Sequence, residues 1–141
     1  MWEELVKEGE NVKKYIIVFD DGHGMESEGK RTPFLEAFGR EFHENEFNST
    51  VIKMIAEMLS EYEEFEPLEV APIDKDNSLS ERVTLANEKG ATLYLSVYAN
   101  TYDGTFEGKN PEGISVFCYP GSVKGTKMVN ILLKYLVQGT K

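Results

Sequence analysis

Apolar and polar positions change their spacing along the chain in a way that separates strands from helices. Four compact runs of β-branched, aromatic and aliphatic residues predict strands, at residues 15–19, 68–73, 92–98 and 114–119. The first run is apolar throughout and is closed by Asp20, Asp21 and Gly22. We therefore expect it to form a strand that is buried on both faces.

Between these runs the spacing becomes helical. One stripe predicts a helix whose polar side carries Lys53, Glu57 and Glu61, and its apolar members are Phe47, Val51, Ile52, Ile55, Met58, Leu59 and Tyr62. Ser78 and Glu81 have the spacing of a capping box, which predicts a shorter helix through Asn87 that Gly90 ends. A last helix is predicted from about Val123 to Val137.

The alternation of strands and helices predicts an α/β fold with a three-layer αβα arrangement and a mostly parallel, twisted sheet. Functional residues of such sheets gather beyond the carboxyl ends of the strands. Two segments have that position, residues 20–24 and residues 96–100. The stretch from Gly24 to Arg40 is rich in glycine and charge, and it predicts a loop longer than most loops that lack a function.

Composition narrows the class of protein. The 141 residues predict a single domain with a polar leader at residues 1–13, and 40% hydrophobic content excludes collagen-like, low-complexity and disordered chains. The net charge of −10 argues against nucleic acid or a membrane surface as the partner. Without a secretory signal or a spanning segment, we expect synthesis in the cytoplasm. The single cysteine, Cys118, is expected to be a small buried apolar residue, with a reactive thiol as the alternative.

The histidine with the most suggestive position is His23, between Gly22 and Gly24 directly after the first strand. A catalytic zinc ion takes three protein ligands and leaves one position for water, and Glu41, Glu44 and Glu46 offer carboxylates nearby. From spacing alone the alternatives remain open. A histidine in a glycine-rich loop is often a turn or surface residue, and acidic residues before a helix favour its macrodipole.

Five motifs in order resemble one family. Residues 20–24, Asp-Asp-Gly-His-Gly, resemble the Asp-x-Gly-His-Gly opening of zinc-dependent N-acetylmuramoyl-L-alanine amidases of the Amidase_3 type. Residues 29–33, Gly-Lys-Arg-Thr-Pro, resemble a loop of bacteriophage endolysin members. Residues 44–48 resemble the Glu-x-Glu-Phe-Asn entry to the long helix, and residues 76–87 its Asp-x-x-Leu-x-x-Arg-Val…Ala-Asn stretch. Residues 96–100 stand where the family has Ser-x-His-Ala-Asn.

The resemblance implies that His23 and Glu44 are zinc ligands. Glu44 is preferred over Glu46 because the family's ligand precedes the helix-entry asparagine, here Asn48, by four positions. The alternatives are that Glu44 only favours the helix start and that Glu46 binds the metal. His43 replaces a bulky aromatic and is expected to pack. We expect Arg82 to brace the end of the sheet through Asp74 or Asp76 without taking part in the chemistry.

The chain departs from the family in two places. The third zinc ligand should be a histidine where this chain has Tyr98, and a phenol must lose a proton to bind metal well. Three arrangements would still bind zinc: Tyr98 with its pKa lowered by the metal, His43 as the third ligand, or two protein ligands with extra water molecules. Alternatively, Tyr98 only packs in the strand and no metal binds. The family's catalytic glutamate follows the last helix on a further strand, and the sequence stops at Lys141 before it. No catalytic residue is therefore assigned, and we expect a fragment, a homo-oligomer or a second chain that completes the sheet.

The family's reaction is hydrolysis of the amide between N-acetylmuramic acid and the L-alanine of the peptidoglycan stem peptide. The resemblance implies this peptidoglycan substrate, a Zn²⁺ cofactor and action at the bacterial cell wall after release from the cytoplasm, with impaired activity. The alternative is an inactive amidase-fold module that binds peptidoglycan or acts as a scaffold. A third interpretation is an unrelated α/β protein that binds a small anion. Substrate-binding residues are not assigned.

Overall fold

The computed structural model describes residues 13–71, 77–100 and 112–139 of the chain. The chain divides into two compact units, Met1–Thr105 and Phe106–Lys141. The first contains β1 (Tyr15–Asp20), α1 (Glu44–Ser60), β2 (Phe65–Glu69), α2 (Leu79–Glu88) and β3 (Leu93–Ser96). The second contains α3 (Val123–Gly139). Of the predicted leader, only Lys13 lies among the described residues.

The three strands form one parallel sheet in the order β2-β1-β3. Val18 of the central strand lies opposite Leu68 on one side and Tyr94 on the other. Both faces of β1 are covered, with Val18 and Phe19 at 0% and 1% exposure. The predicted buried first strand and the parallel sheet are therefore confirmed.

Alternate residues of β1 point to two separate clusters. Ile17 and Phe19 pack with Ile52 of α1, whereas Val18 packs with Val70 and with Ala86 of α2. Since successive side chains of a strand point to opposite faces, α1 and α2 cover opposite faces of the sheet. The α/β fold with three layers is thus present within the first unit.

Helix α1 begins three residues before the predicted Phe47, and its buried face differs from the expected stripe. The buried residues are Asn45, Asn48, Ser49 and Ile52. Phe47, Met58 and Tyr62 are instead more than half exposed. The expectation that these three belong to the core was wrong. Polar contacts at the end of β1, described below, turn Asn45 and Asn48 inward and leave Phe47 outside, and Tyr62 lies beyond the end of α1.

The signals at both ends of α2 are confirmed. The Ser78 backbone N–H donates to the Glu81 carboxylate at 2.8 Å, and the Glu81 N–H donates to the Ser78 hydroxyl at 3.3 Å. At the other end, the Ala91 N–H donates to the Ala86 carbonyl and the Gly90 N–H to the Asn87 carbonyl, both at 3.0 Å. This pair of bonds is the Schellman motif, and Gly90 accommodates it with φ +69°.

Strand β2 lies earlier in the chain than the predicted 68–73, because its pairing with β1 starts at Tyr15 opposite Phe65. Pro67 has no N–H to donate. It is tolerated in β2 because β2 is an outer strand of the three and pairs on one side only. Ile73 lies outside the described residues.

The predicted fourth strand at residues 114–119 is wrong. These residues form no strand in the described structure, and Phe117 and Tyr119 are 86% and 83% exposed. Cys118 is exposed as well, so the expectation of a buried cysteine was also wrong. An apolar run becomes a strand only when a neighbouring strand accepts its backbone hydrogen bonds, and its sequence does not show whether one is available.

None of the helices in the described ranges combines the length and the apolar character that crossing a bilayer requires.

Candidate functional site

A buried carboxylate organises the end of the sheet where β1 and β3 terminate. Asp20 accepts hydrogen bonds from the Arg82 guanidinium and the Tyr94 hydroxyl, each at 2.6 Å. It also accepts the Gly22 N–H at 2.9 Å and the Ser96 hydroxyl at 3.5 Å. Burial, followed by the hydrogen bond to Asp20, raises the pKa of Tyr94, which therefore stays a protonated donor.

Arg82 braces the sheet end as expected, and the described structure identifies Asp20 as a partner. Its Nε also donates to the Asn77 carbonyl at 2.8 Å. The predicted partners, Asp74 and Asp76, lie outside the described residues. Arg82 thus links α2 to the strand that leads into the histidine segment.

The turn at Gly22 brings His23 next to Tyr98. Gly22 has φ +78°, and a Cβ atom there would lie 2.7 Å from Cε1 of Tyr98. The two rings of His23 and Tyr98 meet edge to face, with their centroids 6.1 Å apart. Two segments far apart in sequence therefore meet at the carboxyl ends of β1 and β3, where a parallel sheet is expected to hold its functional residues.

The first turns of α1 contact the same segment through amide side chains. Asn48 Nδ2 donates to the Asp21 carbonyl at 3.0 Å. Asn45 Nδ2 donates to Asp21 Oδ2 at 3.0 Å and to the His23 carbonyl at 2.5 Å. Burial raises the pKa of Asp21, and the hydrogen bond from Asn45 opposes that rise.

The two candidate carboxylates of α1 have different surroundings. The Glu44 side chain is 9% exposed, and its Oε2 lies 3.9 Å from Lys30 Nζ. Its Oε1 is buried and accepts no hydrogen bond within the described part of the chain. Glu46 instead uses both oxygens, one on the His43 N–H at 2.8 Å and one on the Arg40 guanidinium at 2.7 Å.

His43 precedes α1 as its N-cap residue, and residues 31 and 43 form an isolated antiparallel bridge. The Glu44 N–H donates to the Lys30 carbonyl at 2.9 Å. The Gly-Lys-Arg-Thr-Pro segment is thereby tied to the start of the helix that carries Glu44. The backbone hydrogen bond that His43 donates to Glu46 lowers the pKa of the Glu46 carboxyl, and the Arg40 guanidinium adds to this effect.

Tyr98 is the least suitable of the three predicted zinc ligands. Removal from water raises the pKa of its phenol above the ordinary value near 10, and the negative charges of Asp20 and Glu44 raise it further. A neutral phenol is a poor zinc ligand.

Two of the predicted ligands are of the types that zinc prefers, but no third joins them in a group among the described residues. Within residues 13–71, 77–100 and 112–139, no three His, Cys, Asp or Glu side chains are grouped to hold a metal ion. His23 and Glu44 are suitable zinc ligands by type, and the unpartnered Oε1 of Glu44 is an available acceptor. By donor type, His23 and Glu44 supply two of the three protein ligands that a catalytic zinc ion takes.

The sequence placed Asp20 in the motif at residues 20–24, but it did not single out Asn45 or Tyr94 for this site. Asn45 carried one overlooked signal: it is a polar residue that shares a helix face with Asn48 and Ile52, at spacings of three and four. Burial of such a residue predicts a hydrogen-bonded partner. Tyr94 gave no comparable local signal, because its partner, Asp20, comes from another strand.

Comparison with known proteins identifies the class to which this fold and site belong. The family model for N-acetylmuramoyl-L-alanine amidase, Amidase_3, matches residues 17–141. The chain therefore belongs to the Amidase_3 family of N-acetylmuramoyl-L-alanine amidases. The comparison with curated proteins gives no match.

Two solved structures have a similar fold. The N-acetylmuramoyl-L-alanine amidase from Clostridium difficile 630 aligns with a TM-score of 0.67 and 24% identity, over 82% of this chain and 58% of that one. The catalytic domain of CwlV, an N-acetylmuramoyl-L-alanine amidase from Bacillus (Paenibacillus) polymyxa var. colistinus, aligns with a TM-score of 0.50 and 23% identity. That alignment covers 61% of this chain and 45% of that one. The chain thus spans about half the length of these solved relatives.

Proposed function

We propose that this chain is a zinc-dependent N-acetylmuramoyl-L-alanine amidase domain of the endolysin type. Its substrate is the peptidoglycan amide between N-acetylmuramic acid and L-alanine, reached at the bacterial cell wall after release from the cytoplasm. Membership of the Amidase_3 family supports the reaction class. The zinc ion, the bacteriophage origin and the place of action are our inference from the motifs at residues 20–33 and 44–48.

The observation that carries the proposal is the buried Oε1 of Glu44, which accepts no hydrogen bond from the described residues. An uncompensated buried carboxylate is costly, and such groups are normally paired or bound to a metal ion. Lys30 lies 3.9 Å from the other oxygen and is half-exposed, so it offsets little of this cost. A zinc ion held by Glu44 and His23 satisfies the group. Glu46 is the weaker candidate because both of its oxygens already accept hydrogen bonds.

A bound zinc ion supplies a Lewis acid that polarises a carbonyl and lowers the pKa of a water molecule. The residues of this chain hold and orient it. His23 is presented by the turn at Gly22, and Glu44 by the start of α1. Tyr98, protonated beside His23, is a hydrogen-bond donor to a polar group of the substrate. No described residue is assigned as general base.

Zinc content and affinity test the assignment directly. We expect about one zinc ion per chain by elemental mass spectrometry, and loss of binding in His23→Ala and Glu44→Gln by isothermal titration. Glu46→Gln is the matched control, because glutamine at that position preserves the capping box. A wild-type chain that binds no zinc, or a Glu46→Gln variant that alone loses it, contradicts the assignment.

Hydrolysis is measured separately, as new alanine amino termini released from purified peptidoglycan. We expect impaired turnover, because Tyr98 stands where the family has a histidine ligand, and a chelator should abolish it and zinc restore it. The protonated Tyr98 in place of an imidazole favours a second candidate, an inactive amidase-fold module that binds peptidoglycan. That candidate predicts binding of soluble muropeptides that chelation leaves unchanged, with no alanine termini released.

A further inference from the structure

The buried face at the start of α1 is polar where an amphipathic helix is normally apolar. Asn45 and Asn48 are 1% and 0% exposed, whereas Phe47 between them is 55% exposed. Burying an amide is unfavourable unless hydrogen bonds compensate for its loss of water. The amide N–H groups of both asparagines therefore need acceptors opposite them, while their Oδ1 atoms accept no hydrogen bond from the described residues.

All of those acceptors lie on the residues that flank Gly22. Asn48 donates a hydrogen bond to the Asp21 carbonyl, and Asn45 donates to the Asp21 carboxylate and to the His23 carbonyl. From the other side, the Asp20 carboxylate holds the Gly22 N–H at 2.9 Å. The turn that presents His23 is thus held both by its own strand and by α1.

This arrangement connects two proposed ligands that are far apart in sequence. Glu44 is the immediate neighbour of Asn45, so one helical turn carries the carboxylate and the amide that holds the His23 backbone. Any movement of the His23 segment away from α1 breaks bonds to Asn45 and Asn48. The amides of Asn45 and Asn48 therefore set how far the backbone of the His23 segment lies from the start of α1.

We propose that Asn45 and Asn48 are positioning residues, which fasten the His23 segment to α1 and so preorganise His23 and Glu44 for a divalent metal ion. The proposal rests on the zinc site described above. Groups that orient metal ligands typically contribute about 10- to 100-fold to metal affinity. We expect a weakening of that size in Asn45→Leu and Asn48→Leu, which keep side-chain size and remove the amide donors.

The first measurement needs no metal. Hydrogen exchange of residues 20–25 in the metal-free chain should become faster in both leucine variants, while exchange in the last turns of α1 stays unchanged. Ile52→Val is the matched control. Ile52 is buried in the same helix but packs with Ile17 and Phe19, so this variant should be less stable while its contacts with the His23 segment are unaffected. Unchanged exchange in the leucine variants overturns the proposal.

The second measurement is the affinity for zinc by isothermal titration of the same set of variants. A loss of about tenfold or more in the leucine variants, with Ile52→Val close to wild type, supports positioning. Equal losses in all three variants indicate a general loss of stability and overturn it. A third outcome is a wild-type chain that binds no zinc while exchange at residues 20–25 is still faster in the leucine variants. That outcome contradicts the proposed zinc function and supports the attachment of the His23 segment to α1.

Discussion

Arg82 and Asp20 form a buried ion pair 2.6 Å long, between side chains that are 3% and 2% exposed. The two residues are 62 positions apart, and the pair joins α2 to the carboxyl end of β1. Tyr94 and Gly22 complete the surroundings of the carboxylate. The segment that carries His23 therefore starts from an anchored residue.

Removal of the arginine should be severely destabilising. We expect Arg82→Leu to lower the free energy of unfolding by about 3–5 kcal/mol, because it leaves the Asp20 carboxylate buried without its counter-charge. Urea unfolding followed by circular dichroism measures the change. Combining Arg82→Leu with Asp20→Asn should recover part of the loss, and a double variant that is simply the sum of the single changes contradicts the pairing.

Gly22→Ala should disturb the contact between His23 and Tyr98. The left-handed φ costs roughly 1–2 kcal/mol for a residue with a Cβ atom, and crowding against the Tyr98 ring adds about 1–3 kcal/mol. Gly90→Ala is the matched control, because Gly90 has φ +69° and, apart from its chain neighbours, no described residue lies within 4 Å of the position that a Cβ atom would take. Unfolding experiments should show the larger loss at Gly22. The difference should disappear when both glycine variants are compared in a Tyr98→Ala background.

Tyr98→His should tighten zinc binding. An imidazole with an ordinary pKa near 6.5 is neutral at physiological pH and ready to bind, whereas burial holds the Tyr98 phenol protonated. We expect a gain of more than about tenfold by isothermal titration, since a direct ligand should exceed the effect of an orienting group. Tyr98→Phe is the control and should leave the affinity unchanged. A large loss in Tyr98→Phe shows instead that the phenol itself is a ligand.

Lys30→Gln should also tighten zinc binding, but only slightly. Its ammonium group lies 3.9 Å from Glu44 and competes with a metal ion for the carboxylate. Because Lys30 is half-exposed and 3.9 Å away, the pair is worth about 0.2–1 kcal/mol, which corresponds to a gain of at most about fivefold that shrinks in high salt. Arg31→Gln changes the net charge equally, but its partner is Glu41 at 3.4 Å. Equal gains in both variants indicate a general charge effect and contradict direct competition.

Local patterns predicted the elements whose causes are local. The apolar run of β1, the capping box of α2 and the glycine that ends α2 are all visible in the sequence, and each is confirmed. Each depends on residues within a few positions of one another. The family was indicated in the same way, because each of its motifs is a short run of neighbouring residues and their order follows the chain.

The tertiary structure decided what depends on distant pairing. The run at residues 114–119 has strand composition and forms no strand in the described structure. The buried face of α1 is defined by Asn45 and Asn48, because their acceptors lie on a segment more than 20 residues away. The contact of Tyr98 with His23 likewise requires β3 to lie beside β1.

The sequence by itself thus determined the fold class, most element positions and the family. The identity of the groups around His23 was decided only in three dimensions. The spacing of apolar residues and the capping of helices depend on residues within one or two helical turns. Hydrogen bonds between elements depend instead on the register of the strands and on the rotation of each helix about its axis. Those are set by the best simultaneous burial of apolar surface and satisfaction of polar groups over the whole unit.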